Sequence, residues 1–496
     1  MDREAMLQSA RYYHDTTSYQ RSAMAGGHLD WSSQPEVYKR YRGGRRVVLS
    51  REVPLPQCSL GELTQTEISY RTVGGLDLEG LSALLRLTCA ITARARYPGG
   101  DFLYRSVPSA GALYPCEIYL APWGVEGLSP ALYHYSLQDH SLVELRSLKP
   151  GALISRGTLL VFITVMFFRS AWKYRDRAYR YLLLDTGHLL ENLVLALRAT
   201  GRPHRISLDF PDEQVNSFLG LDPQREACLA VVEVGHLEAG DSQLSTTLDQ
   251  EPCPMPEAEP LAPREAVFPL ILQAHMAGSG TTTAPRGLGW MMGELGLKWE
   301  FSQELEAPQA WLQGMSYVES LWSRRSKRAY VPKFLDRRSF SCLMGSLPLL
   351  DPTPCHSSDQ LTAIGLLAGR VEGLTPGFYL MESENRSLHL VAQGDFLGRM
   401  AAACLDQGWM AQAALQVLFL ANLDSLESLL GSRGYRHAMI LSGRMGQRIY
   451  LASTALGLGA CGVGAFYDRE ARALLGLNES SRLLYVLTSG PVRSGN

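Results

Sequence analysis

Apolar positions along this chain fall into two periods. Spacing of three to four residues predicts helices at 76–88, 179–200 and 435–456, the second closed by Gly201 as a C-cap. Short, nearly continuous apolar runs at 117–121, 159–166, 228–234 and 483–488 predict buried strands. Paired short stretches, 132–135 with 142–145 and 378–380 with 388–390, predict hairpins, and 410–420 reads as a helix passing into a strand. Helices around a mostly antiparallel sheet define an α+β class.

The elements come twice. Val125-Glu126-Gly127-Leu128-Ser129-Pro130 returns as Val371-Glu372-Gly373-Leu374-Thr375-Pro376. Further on, matching residues stand 256 positions apart: Tyr179-Arg180 with Tyr435-Arg436, Gly187 with Gly443, Gly201 with Gly457, and Leu219-Gly220-Leu221-Asp222 with Leu475-Gly476-Leu477-Asn478. An offset held over that distance marks two fused copies of one domain. We expect an aromatic-rich lead-in at 1–60 packed on the body, a first repeat at 61–238, a Pro/Gly-rich linker with short helices at 239–314, and a second repeat at 315–496.

Composition removes several function classes. At 496 residues and 46% apolar, the chain can bury two cores. A net charge of −2 gives no basic footprint for nucleic acid. The longest apolar run, 159–168, is too short to span a membrane. The first residues lack the basic-then-apolar order of a signal peptide, and nine dispersed Cys without metal spacing read as reduced thiols, so a cytoplasmic location is expected.

Four segments could carry chemistry. In 105–115, Pro108-Ser109-Ala110-Gly111 can bare backbone N–H groups to a flat ligand, or can simply turn the chain into the strand that follows. Arg324-Arg325-Ser326-Lys327-Arg328 suits a phosphate, or forms a solvated basic face. Gly459-Ala460-Cys461-Gly462-Val463-Gly464 lets the main chain press on a ligand, but it follows a helix, so it is not a dinucleotide-binding turn. Lys173-Tyr174, at the apparent start of a helix, could pair a proton acceptor with an orienting donor, or lie on the surface. His188 and His437 read as satisfied core histidines, and Arg444 and Arg448 as a solvated helix face.

In combination these segments resemble the nitroreductase-like FMN flavoproteins, specifically tandem two-domain SagB/ThcOx-type peptide dehydrogenases. The resemblance implies two nitroreductase-like domains in an intrachain pseudo-dimer, with FMN at their interface. It implies that Arg324, Arg325, Ser326 and Arg328 grip the phosphate and ribityl chain, joined by Arg493. It further implies that Gly459, Ala460, Cys461, Gly462, Val463 and Gly464 line the flavin ring, and that Pro108, Ser109, Ala110 and Gly111 approach from the other domain. In azoline-oxidising members a Lys-Tyr pair moves the proton; Lys173 and Tyr174 match it, although Arg175 follows where a glycine is expected.

The copies differ at these segments. The first lacks the glycines, having Gly201-Arg202-Pro203-His204-Arg205-Ile206-Ser207-Leu208, and reduces the basic motif to roughly Tyr70-Arg71-Thr72. The second lacks the Pro-Ser-Ala-Gly loop, near Pro352-Thr353-Pro354-Cys355-His356, and has Leu429-Leu430 opposite Lys173-Tyr174. One complete set, split between the halves, predicts one functional flavin site and one decayed one. The expected activity is FMN-dependent dehydrogenation of a peptide-derived substrate, such as azoline to azole, alongside a cyclodehydratase-type partner. The other readings are an NAD(P)H-dependent nitro or quinone reductase acting on a small molecule, and a non-catalytic member of a peptide-modifying complex.

Overall fold

Each half folds into a sheet, and the two sheets share one topology. The computed structural model describes residues 9–24, 29–65, 75–97, 100–149, 158–235, 248, 255–280, 290–306, 314–349 and 358–493. The first sheet contains β1 (Arg46–Val48), β2 (Cys116–Trp123), β3 (Ala131–Ser136), β4 (Ser141–Ser147), β5 (Thr158–Met166), β6 (His204–Ser207) and β7 (Glu226–Val234), in the order β1-β4-β3-β2-β5-β7-β6. The second contains β8 (Phe301–Glu304), β9 (Ala363–Ala368), β10 (Gly377–Glu382), β11 (Ser387–Gln393), β12 (Leu415–Asn422), β13 (Gly459–Val463) and β14 (Ser481–Gly490), in the matching order β8-β11-β10-β9-β12-β14-β13. All neighbouring pairs are antiparallel.

The predicted strands lie within β2, β5, β7 and β14, and the predicted hairpins are β3–β4 and β10–β11. β7 and β14 are buried along their whole length, which explains why they read as unbroken apolar runs and not as alternation. The edge strands β1 and β8 come from residues 46–48 and 301–304, so the lead-in and the connecting segment each complete a sheet. A further hairpin, Ile91–Tyr97 with Gly100–Arg105, leads into the 105–115 segment. Among the described residues no helix is long and apolar enough to cross a membrane.

The interface between the halves is built on a long helix pair, α2 (Ala178–Ala199) and α4 (Arg433–Ala455), each preceded by a short helix, α1 (Phe167–Tyr174) and α3 (Leu423–Leu430). The long pair, α2 and α4, cross at equivalent glycines. A Cβ on Gly187 would stand 2.1 Å from the Ile440 carbonyl oxygen, and one on Gly443 would stand 2.2 Å from that of Leu184. The pseudo-twofold axis therefore runs through this contact, where any side chain would push the halves apart.

Reciprocal buried ion pairs flank the crossing. Arg177 and Arg180 reach Asp468 of the other half at 2.7 and 2.6 Å, and Arg433 and Arg436 reach Asp212 at the same two distances. A histidine sits by each: His14 on Tyr435 and His275 on Tyr179. His14 comes from the lead-in helix Ala10–Thr16 and His275 from Pro269–Ala277, so these helices are also related by the pseudo-twofold.

Arg444 and Arg448 depart from expectation. They are fully buried, not solvated, and both ion-pair with Glu191 of α2, at 2.7 and 2.5 Å. Their shared face is turned to the other half, which supplies the charge that burial demands. The residues Tyr70-Arg71-Thr72 and 352–356 lie outside the described residues.

Candidate functional site

A cleft of about 200 Å³ opens between the halves, and most of the sequence candidates converge on it. Pro108, Ser109, Ala110 and Gly111 form one wall, with Gly111 at φ 63°. Lys173 and Tyr174 close on the same loop: a Cβ on Gly111 would be 2.7 Å from the Tyr174 hydroxyl and 3.2 Å from Lys173 Nζ. The pair ends α1 and does not start the next helix. The break falls on Arg175, at φ 51° and ψ −140°; its counterpart Gly431 ends α3 at φ 56° and ψ −157°. A conformation suited to glycine is thus held by an arginine beside the candidate pair, at a cost of about 1–3 kcal/mol. Lys173 is exposed and Tyr174 half-buried; burial pushes the Tyr174 phenol well above its ordinary range.

The glycine-rich segment is the edge strand β13. Cys461, Gly462, Val463 and Gly464 line the cleft, while Gly459 and Ala460 lie farther along the same strand. Glycines there let aromatic rings approach: a Cβ on Gly462 would meet the Tyr485 hydroxyl and one on Gly464 the Tyr181 ring. The Gly462 N–H donates to the Tyr450 hydroxyl at 2.7 Å, which also bonds Ser326 at 2.9 Å.

The basic segment divides. Ser326 and Arg328 line the cleft, with Arg328 Nε directed at Cys461 Sγ at 3.5 Å. Arg324 is buried and clamps the first half, donating to the carbonyls of Ser106 at 2.7 Å and Arg105 at 3.2 Å. Its Nη1 is buried with no hydrogen-bond partner, an unmet donor close to Tyr450. Arg325 turns away, donating to Thr92 of the hairpin. Arg493 is exposed and runs beside this segment, its N–H donating to the Ala329 carbonyl.

Sequence reasoning passed over Asp185, Tyr450 and Tyr485. Asp185 is buried in the cleft wall, accepting from the Ser109 hydroxyl at 2.5 Å and the Ala110 N–H at 3.3 Å. Burial raises its carboxyl to about 7, opposed by those two hydrogen bonds. The available signal was one carboxylate after Leu182-Leu183-Leu184 in an apolar helix. His188, one turn on, bonds Gln447 and Tyr485, and burial lowers it to about 3, so it is neutral. It is a satisfied core histidine, as expected, that also borders the cleft. His437 bonds the Leu208 carbonyl.

At the pseudo-equivalent positions the described residues differ. Counting 256 positions, Leu441 replaces Asp185, Arg444 replaces His188, Leu429-Leu430 replace Lys173-Tyr174, and Ile206 and Leu208 replace Gly462 and Gly464. The Glu191–Arg444–Arg448 cluster fills the ground there. The cleft offers donors for an anionic, hydrogen-bonding ligand from Arg328 and Ser326, with the buried Arg324 Nη1 behind Tyr450, which lines it. These residues fit a flavin mononucleotide.

Fold and cleft thus define a tandem α+β protein of two like domains with a cleft between them. The nitroreductase family model matches residues 70–236 and 358–490, and the chain belongs to that family. Over 175 residues it is 32% identical to the trifolitoxin-processing protein of Rhizobium leguminosarum bv. trifolii, a match covering 32% of this chain and 47% of that one. It therefore spans about half the length of that relative. Over 149 residues it is 28% identical to the microcin B17-processing protein of Escherichia coli, covering 27% of this chain and 55% of that one. A solved structure from Anabaena variabilis, provisionally described as a nitroreductase, superposes with a TM-score of 0.76 at 26% identity, covering 98% of this chain and all of that one.

Proposed function

We propose that the protein is an FMN-dependent dehydrogenase acting on a peptide-derived substrate, with azoline-to-azole oxidation the leading reaction. The observation that carries this reading is the convergence of Lys173 and Tyr174 on Gly111, at a cleft that Ser326 and Arg328 also line. The likeness to two toxin-processing proteins supports a peptide substrate.

Arg324, Ser326 and Arg328 would hold the phosphate and ribityl end, with Arg493 close by, and β13 and the Pro108–Gly111 loop would flank the ring. Bound there, FMN supplies a two-electron hydride acceptor. The chain's own residues handle the proton. Lys173, exposed beside Gly111, can take a proton from the substrate carbon or nitrogen that is being oxidised. Tyr174, kept protonated by burial, can donate a hydrogen bond that orients the substrate. Asp185 holds the Ser109–Ala110 turn in register with both.

The test is incubation of the flavin-loaded protein with a synthetic thiazoline-bearing peptide, read by mass spectrometry for loss of two hydrogens. Turnover that vanishes in Lys173→Ala with flavin content unchanged supports the reading. Full turnover by that variant removes Lys173 from the chemistry. Inert peptide, together with fast bleaching of the flavin by NADPH, would favour the reductase reading instead. Colourless protein that cannot be reconstituted would favour the non-catalytic one.

A further inference from the structure

A second cavity, of about 260 Å³, shares no lining residue with the flavin cleft. Arg51, Arg86, Cys89, Thr92, Tyr135, His140 and Trp322 border it. Trp322 comes from the second half, so the cavity also straddles the interface. Two guanidiniums face this space and no carboxylate lines it. Among the described residues neither arginine has an acidic partner: Arg51 donates to the Gln138 carbonyl at 3.2 Å, and Arg86 lies over the Trp322 ring at 5.4 Å. Arg86 is held below its ordinary range by burial and by the charge of Arg51. Two like charges facing one cavity cost free energy that an anion between them would return.

The floor does not neutralise them. His140 is buried with both ring nitrogens engaged, by Ser82 and Tyr135 at 2.8 Å each, and burial holds it at about 4, hence neutral. Trp322 Nε1 is buried without a hydrogen-bond partner, a second unmet donor at this interface. Thr92 is fixed by Arg325, which turns away from the flavin cleft on this side. A basic residue expected to grip the cofactor instead braces the wall of this cavity.

We infer that the cavity is an anion site, binding one carboxylate or phosphate group of a small ligand between Arg51 and Arg86 with Trp322 as its aromatic wall. Its size suits one such group and its immediate attachment. Guanidinium pairs hold planar carboxylate or tetrahedral phosphate oxygens by charge-assisted hydrogen bonds, and the Trp322 ring lies 5.4 Å from the Arg86 guanidinium as a cation–π partner.

The experiment uses flavin-saturated full-length protein, so that the cofactor's own phosphate site is filled. Inorganic phosphate and succinate are titrated separately at constant ionic strength, with melting temperature and tryptophan fluorescence as readouts. The expected result is a saturable rise in melting temperature with at least one of them, weakened tenfold or more in Arg86→Gln and in Arg51→Gln, with flavin content unchanged. The fluorescence change should be lost in Trp322→Phe. Saturation by phosphate alone assigns a phosphate ligand, and by succinate alone a carboxylate. No saturable response to either, or an equal response in the double variant Arg51→Gln/Arg86→Gln, overturns the inference.

Discussion

Glu191→Gln isolates what holds the unused half of the interface closed. The wild-type cluster buries one carboxylate between two guanidiniums, with all three residues at 0% exposure and contacts of 2.7 and 2.5 Å. The substitution keeps the shape and one acceptor oxygen, removes the negative charge, and turns an NH₂ group toward a guanidinium. Two positive charges then share a dry interface without the carboxylate charge of Glu191, although Arg448 keeps the Ser346 and Pro348 carbonyls as acceptors. Removing one partner of a buried pair costs about 3–5 kcal/mol, a large part of the roughly 5–15 kcal/mol of a folded domain. The assay is urea unfolding followed by far-UV circular dichroism and tryptophan fluorescence. The expected result is a clear fall in midpoint, with both signals moving together because the cluster joins the halves. An unchanged midpoint would refute the reasoning: the arginines' other acceptors, among them the Ser346 and Pro348 carbonyls, would then suffice without the Glu191 charge. A partial rescue is also expected, since Glu191→Gln combined with Arg444→Met should recover stability by removing the surplus charge.

Four further outcomes follow from the geometry. Arg175→Gly should stabilise the protein by about 1 kcal/mol, because glycine adopts that conformation without strain; thermal melts with flavin content as control would check it. Gly187→Ala should cost about 1–3 kcal/mol by forcing the crossing helices apart, and should lower flavin occupancy in the same preparation. Asp185 has a folded-state carboxyl raised from 3.8 to about 7, so its contribution is fully present below about pH 4 and is lost as pH rises through 7. Asp185→Asn should therefore match wild type in acid and exceed it at pH 8, by on the order of 4 kcal/mol at most, measured as apoprotein melting temperature against pH. Lys173→Ala should keep flavin and lower turnover of the thiazoline peptide by a hundredfold or more.

Much of this architecture was legible because fusion leaves a constant spacing. Gly187 and Gly443 matched in sequence, and they meet at the crossing. Tyr179-Arg180 and Tyr435-Arg436 matched, and each arginine grips the other half's aspartate. What escaped notice depends on partners far away in the chain. Arg444 and Arg448 read as solvated because Glu191 lies some 250 residues earlier and in the other copy. Arg324 and Arg325 read as one phosphate grip; packing sends one to the carbonyls of 105–106 and the other to Thr92, which no local pattern encodes. Asp185 was passed over because its partners, the Ser109 hydroxyl and the Ala110 N–H, lie some 75 residues earlier in the chain. Arg175 breaks the glycine rule: a non-glycine residue stands at φ 51° where its counterpart Gly431 has φ 56°.

The central claim is one composite flavin site per chain. The direct measurement is release of flavin from purified, reconstituted protein, quantified by absorbance against chain concentration from amino-acid analysis. The account predicts about one FMN per chain, unchanged by excess FMN. Two per chain would contradict it, because the region holding Leu441, Arg444, Ile206 and Leu208 would then bind flavin as well.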